Sequence, residues 1–168
     1  SDGTITEYSW TFSDGETRSG KNVEKSFRTP GLFSAILKIK DDSKAINSIT
    51  MDTVVVKVNN PPVIKTQEYI ETCSSTVLLD ASASSDPDGD PVTFKWIFPG
   101  EQERAGSGVT VHNFSEYGII PVVLTADDGM GLSNSLVRKT ITVNLHKPPV
   151  ANAGPDTTVC AGEIVILS

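Results

Sequence analysis

The chain has 168 residues, room for one large domain or two small ones, with 38% hydrophobic and 21% charged residues, a balance too apolar for disorder. Fourteen Lys and Arg stand against 21 Asp and Glu, a net charge of −7 without any basic stripe, which argues against nucleic acid as a partner. No apolar run approaches the ~20 residues needed to cross a bilayer as a helix, and Ser1-Asp2-Gly3 does not resemble a signal peptide.

In chain order, the first predicted strand is Ile5 to Phe12, carrying Trp10 and Phe12 as large apolar groups. Phe33, Ala35, Leu37 and Ile39 are apolar at every second position, the period of a strand with one buried face. Further strands are expected at Thr50 to Val58, Thr76 to Leu79, Val92 to Phe98 and Val109 to Phe114. Ile120, Val122, Leu124 and Ala126 alternate again, and Leu136 to Leu145 is the last predicted strand. Gly, Pro, Asp and Ser separate these runs, and no helical period is found. Short strands at this spacing predict two-sheet sandwiches, with Trp10, Phe12, Trp96 and Phe98 as the aromatic plugs of two cores.

The order of these elements repeats. Pro61-Pro62-Val63 recurs as Pro148-Pro149-Val150, Gly31 as Gly118, Asp41 as Asp128 and Cys73 as Cys160, each 87 positions later. Asp2-Gly3 recurs as Asp88-Gly89, and Trp10-Thr11-Phe12 as Trp96-Ile97-Phe98, at 86. The two cysteines therefore hold equivalent positions in successive modules. They are expected to be unpaired, since a disulfide needs Cα atoms about 4.4–6.8 Å apart.

The motifs resemble a family. Trp10-Thr11-Phe12-Ser13-Asp14-Gly15 is similar to the W-D-F-G-D-G signature of the polycystic-kidney-disease (PKD) domain, and Ser84-Ser85-Asp86-Pro87-Asp88-Gly89 to the turn that precedes it. Gly31 to Asp41 and Gly118 to Asp128 resemble the alternating strand that follows. Pro148 to Gly154 matches the opening of such a module. Trp96-Ile97-Phe98-Pro99-Gly100 departs from the signature by losing its second Asp, and Phe33 and Ile120 replace the usual Tyr. The resemblance implies a row of immunoglobulin-like β-sandwiches of the bacterial or archaeal surface or secreted type, all-β and extended. Residues 1–59 form a module lacking its first strands, 60–147 a complete module, and 148–168 the N-terminal strands of a third. The missing phase of the first and the content of the last are nearly the same. A segment of a longer array explains this, and so does head-to-tail addition of one molecule's tail to the next.

Asp86-Pro87-Asp88-Gly89-Asp90 places three carboxylates around a glycine turn, which suits calcium, an ion that takes roughly six to eight hard oxygens. The resemblance implies a calcium site built from the acids of this turn and an Asn at the module's entrance. Asn59, Asn60, Asp86, Asp88 and Asp90 are the candidate ligands, with Asp127 and Asp128 as weaker additions. The competing reading is a structural turn, since Asp and Gly favour turns and cap backbone amides. His112 and His146 are not repeat-equivalent, and no nucleophile elbow accompanies them, so no catalytic assembly is expected. His112 reads as a half-exposed strand residue. The expected role is a non-catalytic spacer or building unit of an extracellular, cell-surface or fibre-forming protein, with neighbouring modules or further copies as partners. Adhesion to a surface protein or polysaccharide is the alternative, weakened by the scatter of Tyr8, Tyr69 and Tyr117.

Overall fold

The computed structural model describes residues 3–166. The Asp2 half of the Asp2-Gly3 repeat and the last two residues of the segment assigned to a third module lie outside that range. Eleven strands and no helix are found among the described residues. The first module is β1 (Ile5–Phe12), β2 (Thr17–Ser19), β3 (Gly31–Asp41) and β4 (Ile49–Val58). They form one antiparallel sheet in the order β2-β1-β3-β4.

The second module contains β5 (Tyr69–Thr72), β6 (Thr76–Asp80), β7 (Thr93–Ile97), β8 (Arg104–Gly106), β9 (Val109–Asn113), β10 (Gly118–Asp127) and β11 (Leu136–Leu145). Its large sheet runs β5-β11-β10-β7-β8, with β5 added parallel to β11, and β6 pairs with β9 as a second sheet. Strand bounds follow the sequence period: β4 and β11 differ by 87 at both ends, as do β2 and β8. The three short strands β2, β5 and β8 were not among those expected. β2 and β8 are exposed throughout, and β5 is only four residues long.

Core quality separates the modules. In the second, Val122, Leu124 and Ala126 on β10 and Ile141 and Val143 on β11 have no exposed surface. The β6–β9 sheet covers them with Val77 and Leu79, and Trp96 and Phe98 fill the space between. The Trp96 indole donates to the Ser107 carbonyl at 3.0 Å, as Trp10 does to Gly20 at 3.2 Å in the first module. The corresponding face of the first module carries Trp10, Phe12, Phe33, Ala35 and Leu37, aligned by the β1–β3 and β3–β4 registers. Only Phe12 and Ala35 among these are buried. Residues 20–30 form no strand, and a groove of about 330 Å³ stays open between Trp10, Val23, Phe27, Val54 and Val56. A sheet face without a facing layer keeps its apolar side chains in water, and that is the physical difference between the two halves.

The segment from Pro148 onward departs from expectation. Its described residues, to Ile166, form no strand and are exposed throughout. A strand is defined by its ladder partners, and no described strand pairs with this segment. Cys73 and Cys160 are both free and exposed.

Leu37 and Leu124 are repeat-equivalent, one half-buried and the other fully buried. Leu124→Ala is expected to destabilise the second module by about 2–5 kcal/mol, and Leu37→Ala the first by less than half of that. Urea unfolding followed separately through Trp96 and Trp10, each in a background lacking the other indole, reads the two costs.

Candidate metal centre at the module junction

Four residues, Asn59 to Pro62, connect β4 to the first contact of the second module, the isolated bridge between Val63 and Ser85. The Pro pair has no backbone N–H to satisfy and fixes φ near −65°. Both asparagines have side-chain donors, and both are used. Asn59, 4% exposed, donates through Nδ2 to Asp128 Oδ2 at 2.7 Å, while its carbonyl accepts from Asn134 Nδ2 at 2.8 Å. Asn60 donates twice to Asp88, from its backbone N at 2.9 Å and from Nδ2 at 2.7 Å.

The acids belong to two loops of the second module. Asp86 to Gly89 is a turn in which the Gly89 N–H donates to the Asp86 carbonyl at 3.2 Å, with Pro87 following the first residue and Gly89 at φ 82°. Asp86 Oδ1 accepts the Asp88 N–H at 2.7 Å. Ligand oxygens of Asp86, Asp88 and Asp90 lie within 4.8 Å of one another. Asp128 caps the opposite loop by accepting the Met130 N–H at 2.9 Å, and buried Ser135 closes that loop through Leu132.

Of the seven residues expected from the sequence, Asp86, Asp88 and Asp90 converge, and Asn60 is bound to one of them. Asn59 and Asp128 form a buried pair beside the junction. Asp127 stands apart, its carboxylate accepting the Gly129 N–H at 2.8 Å in its own turn. Lys57 and Asn134 were not anticipated. Lys57, on the outer face of β4, places Nζ 2.8 Å from Asp90 Oδ2 and 3.8 Å from Asp88 Oδ2. Its only sequence signal is a lone charge in the run Val54-Val55-Val56-Lys57-Val58.

The electrostatics follow from these contacts. The backbone and side-chain N–H groups of Asn60 hold the Asp88 carboxyl below the usual carboxylate range. Burial pushes Asp128 upward, but hydrogen bonds from Asn59, Met130 and Ser135 outweigh it and leave Asp128 lowered. Lys57 is raised, first by its hydrogen bond to Asp90 and then by the charges of Asp90, Asp88 and Asp86.

Two buried side-chain polar atoms among the described residues lack any hydrogen-bond partner: Asn59 Oδ1 and Asp86 Oδ2. Both are hard oxygens, both are at this junction, and an orphaned buried carboxylate oxygen is costly. A hard divalent cation fits this donor set, whereas a turn that merely caps backbone amides gives Asp86 Oδ2 no role.

His112 lies elsewhere. Its ring stacks on Phe98 at 3.8 Å and meets the edge of Phe114 at 4.6 Å, and burial pushes its pKa down. His146 pairs with Glu71 at 2.8 Å.

An immunoglobulin-like sandwich joined through a proline linker to a sheet that repeats four of its strands, β8-β7-β10-β11, in the same order defines a tandem β-module. The sequence pattern of the PKD domain matches residues 1–58 and again residues 59–143, and the chain belongs to that family. It is similar to the pre-pro-metalloprotease PrtV of Vibrio cholerae serotype O1, in two strains, with 28% identity over 139 residues. That match covers 83% of this chain but only 15% of the metalloprotease. A solved structure of a nucleoside hydrolase-related protein from Saccharophagus degradans, associated with carbohydrate metabolism, aligns with 54% of this chain and 26% of its own. Its identity is 28% and its TM-score 0.44. No helix among the described residues is long and apolar enough to cross a membrane.

The depressed Asp88 and Asp128 carboxyls bind protons less readily in the folded chain than in the unfolded one. Their contribution is complete above the ordinary carboxyl range, near pH 4, and is lost as pH falls through their lowered values. Amide hydrogen exchange at Asn60, corrected for intrinsic rate, should lose protection over that interval. Asp88→Asn should remove this pH dependence, and a flat wild-type profile would contradict the assignment.

Proposed function

We propose that the chain is a non-catalytic spacer segment of a larger extracellular or cell-surface protein, with its modules held in fixed relation by the Asn59–Asn60 linker. The observation that carries this reading is the linker itself, pinned to two loops of the second module by four hydrogen bonds of Asn59 and Asn60, with the reciprocal Val63–Ser85 pair just beyond it. A flexible tether would leave its polar groups to water. The family and a relative named as a pre-pro-metalloprotease, of which this chain matches a small part, support a place among the accessory modules of an exported protein. Adhesion to polysaccharide is less well supported, because Tyr69 and Tyr117 are the only aromatic residues among the exposed large hydrophobics of the described residues.

The reading includes calcium. Asp86 Oδ2, Asp88, Asp90 and Asn59 Oδ1 would hold it, with Asn60 and Asp128 orienting the ligands, and the ion would supply the counter-charge that these buried oxygens need. Binding would favour the folded junction by mass action. A thermal melt of the chain followed by Trp96 fluorescence is expected to rise by several degrees in millimolar calcium relative to EDTA. Asp86→Asn, which keeps the acceptor for the Asp88 N–H, should abolish the rise. Identical midpoints in calcium and EDTA would exclude a structural site.

Strand addition between molecules has one observation in its favour. Ile164 and Ile166, 93% and 86% exposed, occupy the repeat positions of buried Val77 and Leu79 on the covering strand β6. A strand of that pattern, supplied by another copy, would close the open face of the first module. Removing residues 148–168 should then lower the oligomeric state and the protection of β1 and β3; unchanged values would rule the idea out.

A further inference from the structure

The three turn acids do not share one environment. Asp86 is 7% exposed and keeps an orphaned Oδ2, while the side chains of Asp88 and Asp90 are 13% and 23% exposed. Lys57 serves only the outer pair: its ammonium bonds Asp90, approaches Asp88, and makes no ion pair with Asp86. A lysine head is a single compact charge on a flexible stem, able to satisfy two oxygens but not to reach a buried third. A divalent cation with several oxygen ligands can take inner and outer acids together. The two cations want the same outer oxygens.

We propose that Lys57 is a built-in competitor for the junction's cation site, and that a divalent ion binds by displacing its ammonium from Asp90 and Asp88. This rests on the calcium reading above and adds its regulation. Before metal binds, Lys57 ties β4 of the first module to the acid turn of the second, so the junction has a counter-ion in either state. The exchange sets the ion concentration at which the inner oxygens, Asp86 Oδ2 and Asn59 Oδ1, are satisfied. The side chain is 37% exposed, which gives the released ammonium a short path to water.

The device is particular to this junction. One repeat further on, the position of Lys57 is held by Asn144, whose amide bonds Tyr69 and lies 3.1 Å from the His146 ring. His146 and Lys147 stand where Asn59 and Asn60 stand here. The second junction thus carries no equivalent lysine on its strand, and its linker residues differ in charge.

Calorimetric titration of the wild-type chain, Lys57→Met and Lys57→Gln with calcium chloride tests the proposal. Removing an adjacent positive charge from a partly exposed site is expected to tighten calcium binding about tenfold. In the wild type alone, calcium should also move the Lys57 side-chain methylene resonances toward those of a free lysine. Equal affinities in all three proteins, with those resonances unmoved, would overturn the competitor role while leaving the calcium site intact. Absence of binding in all three would overturn the calcium reading and this proposal together. Two substitutions are used so that misfolding of one does not decide the result; Asn60 amide protection checks that the metal-free junction has formed.

Discussion

The constraint on which this structure depends is the burial of carboxylates at the mouth of the second module. Asp86 and Asp128 are more than nine-tenths buried, and charge removed from water must find donors or a cation nearby. The backbone turns supply some donors, since Asp86 takes the Asp88 N–H and Asp128 the Met130 N–H. The linker adds a donor to Asp128 from Asn59 and two to neighbouring Asp88 from Asn60, and leaves Asp86 Oδ2 without one. Asn59 and Asn60 therefore act less as spacer residues than as the ligands of an acid-lined notch, and the conformation of the connection follows from the acids' need for partners. Pro61 and Pro62 continue the chain without adding donors that would themselves need satisfying.

The two modules show what a second sheet contributes. Both have the hairpin headed by a tryptophan, the long central strand and its antiparallel partner, and both indoles bond a carbonyl just beyond the hairpin. The second module adds β5, β6 and β9, and the inward face of its central strand becomes buried. In the first, Lys25 lies over the Phe12 ring at 5.2 Å, at the position equivalent to His112 over Phe98, with Asp14 and Glu16 as its partners at 2.5 Å. One repeat position thus carries a polar group across the aromatic plug in both modules. In the first module that group, not a covering strand, closes part of the groove.

Much of this was legible from residue pattern. The strands with period-two alternation were read to within one or two residues, because a half-buried strand writes its face directly into sequence. The short edges β2 and β8 write nothing, since Thr17 to Ser19 and Arg104 to Gly106 have no buried side and owe their pairing to the hairpins that precede them. The segment after Pro148 shows the opposite failure. Its residues repeat those of the second module, yet pairing needs a partner that no similarity of sequence provides. At the junction, Asp86, Asp88 and Asp90 were visible because one turn holds all three. Lys57 and Asn134 were not, because the fold brings them there from 33 and 75 positions away, as the Lys57–Asp90 and Asn134–Asn59 bonds record.

On the proposed reading, the acid notch fixes the linker and thereby couples the modules. Residual dipolar couplings of backbone amides in β3 and β4, compared with those in β10 and β11, test it most directly. One alignment tensor should describe both modules in the native chain, and two should be required once Asn59 and Asn60 are replaced by alanine. Two independent tensors in the native chain itself would contradict the account.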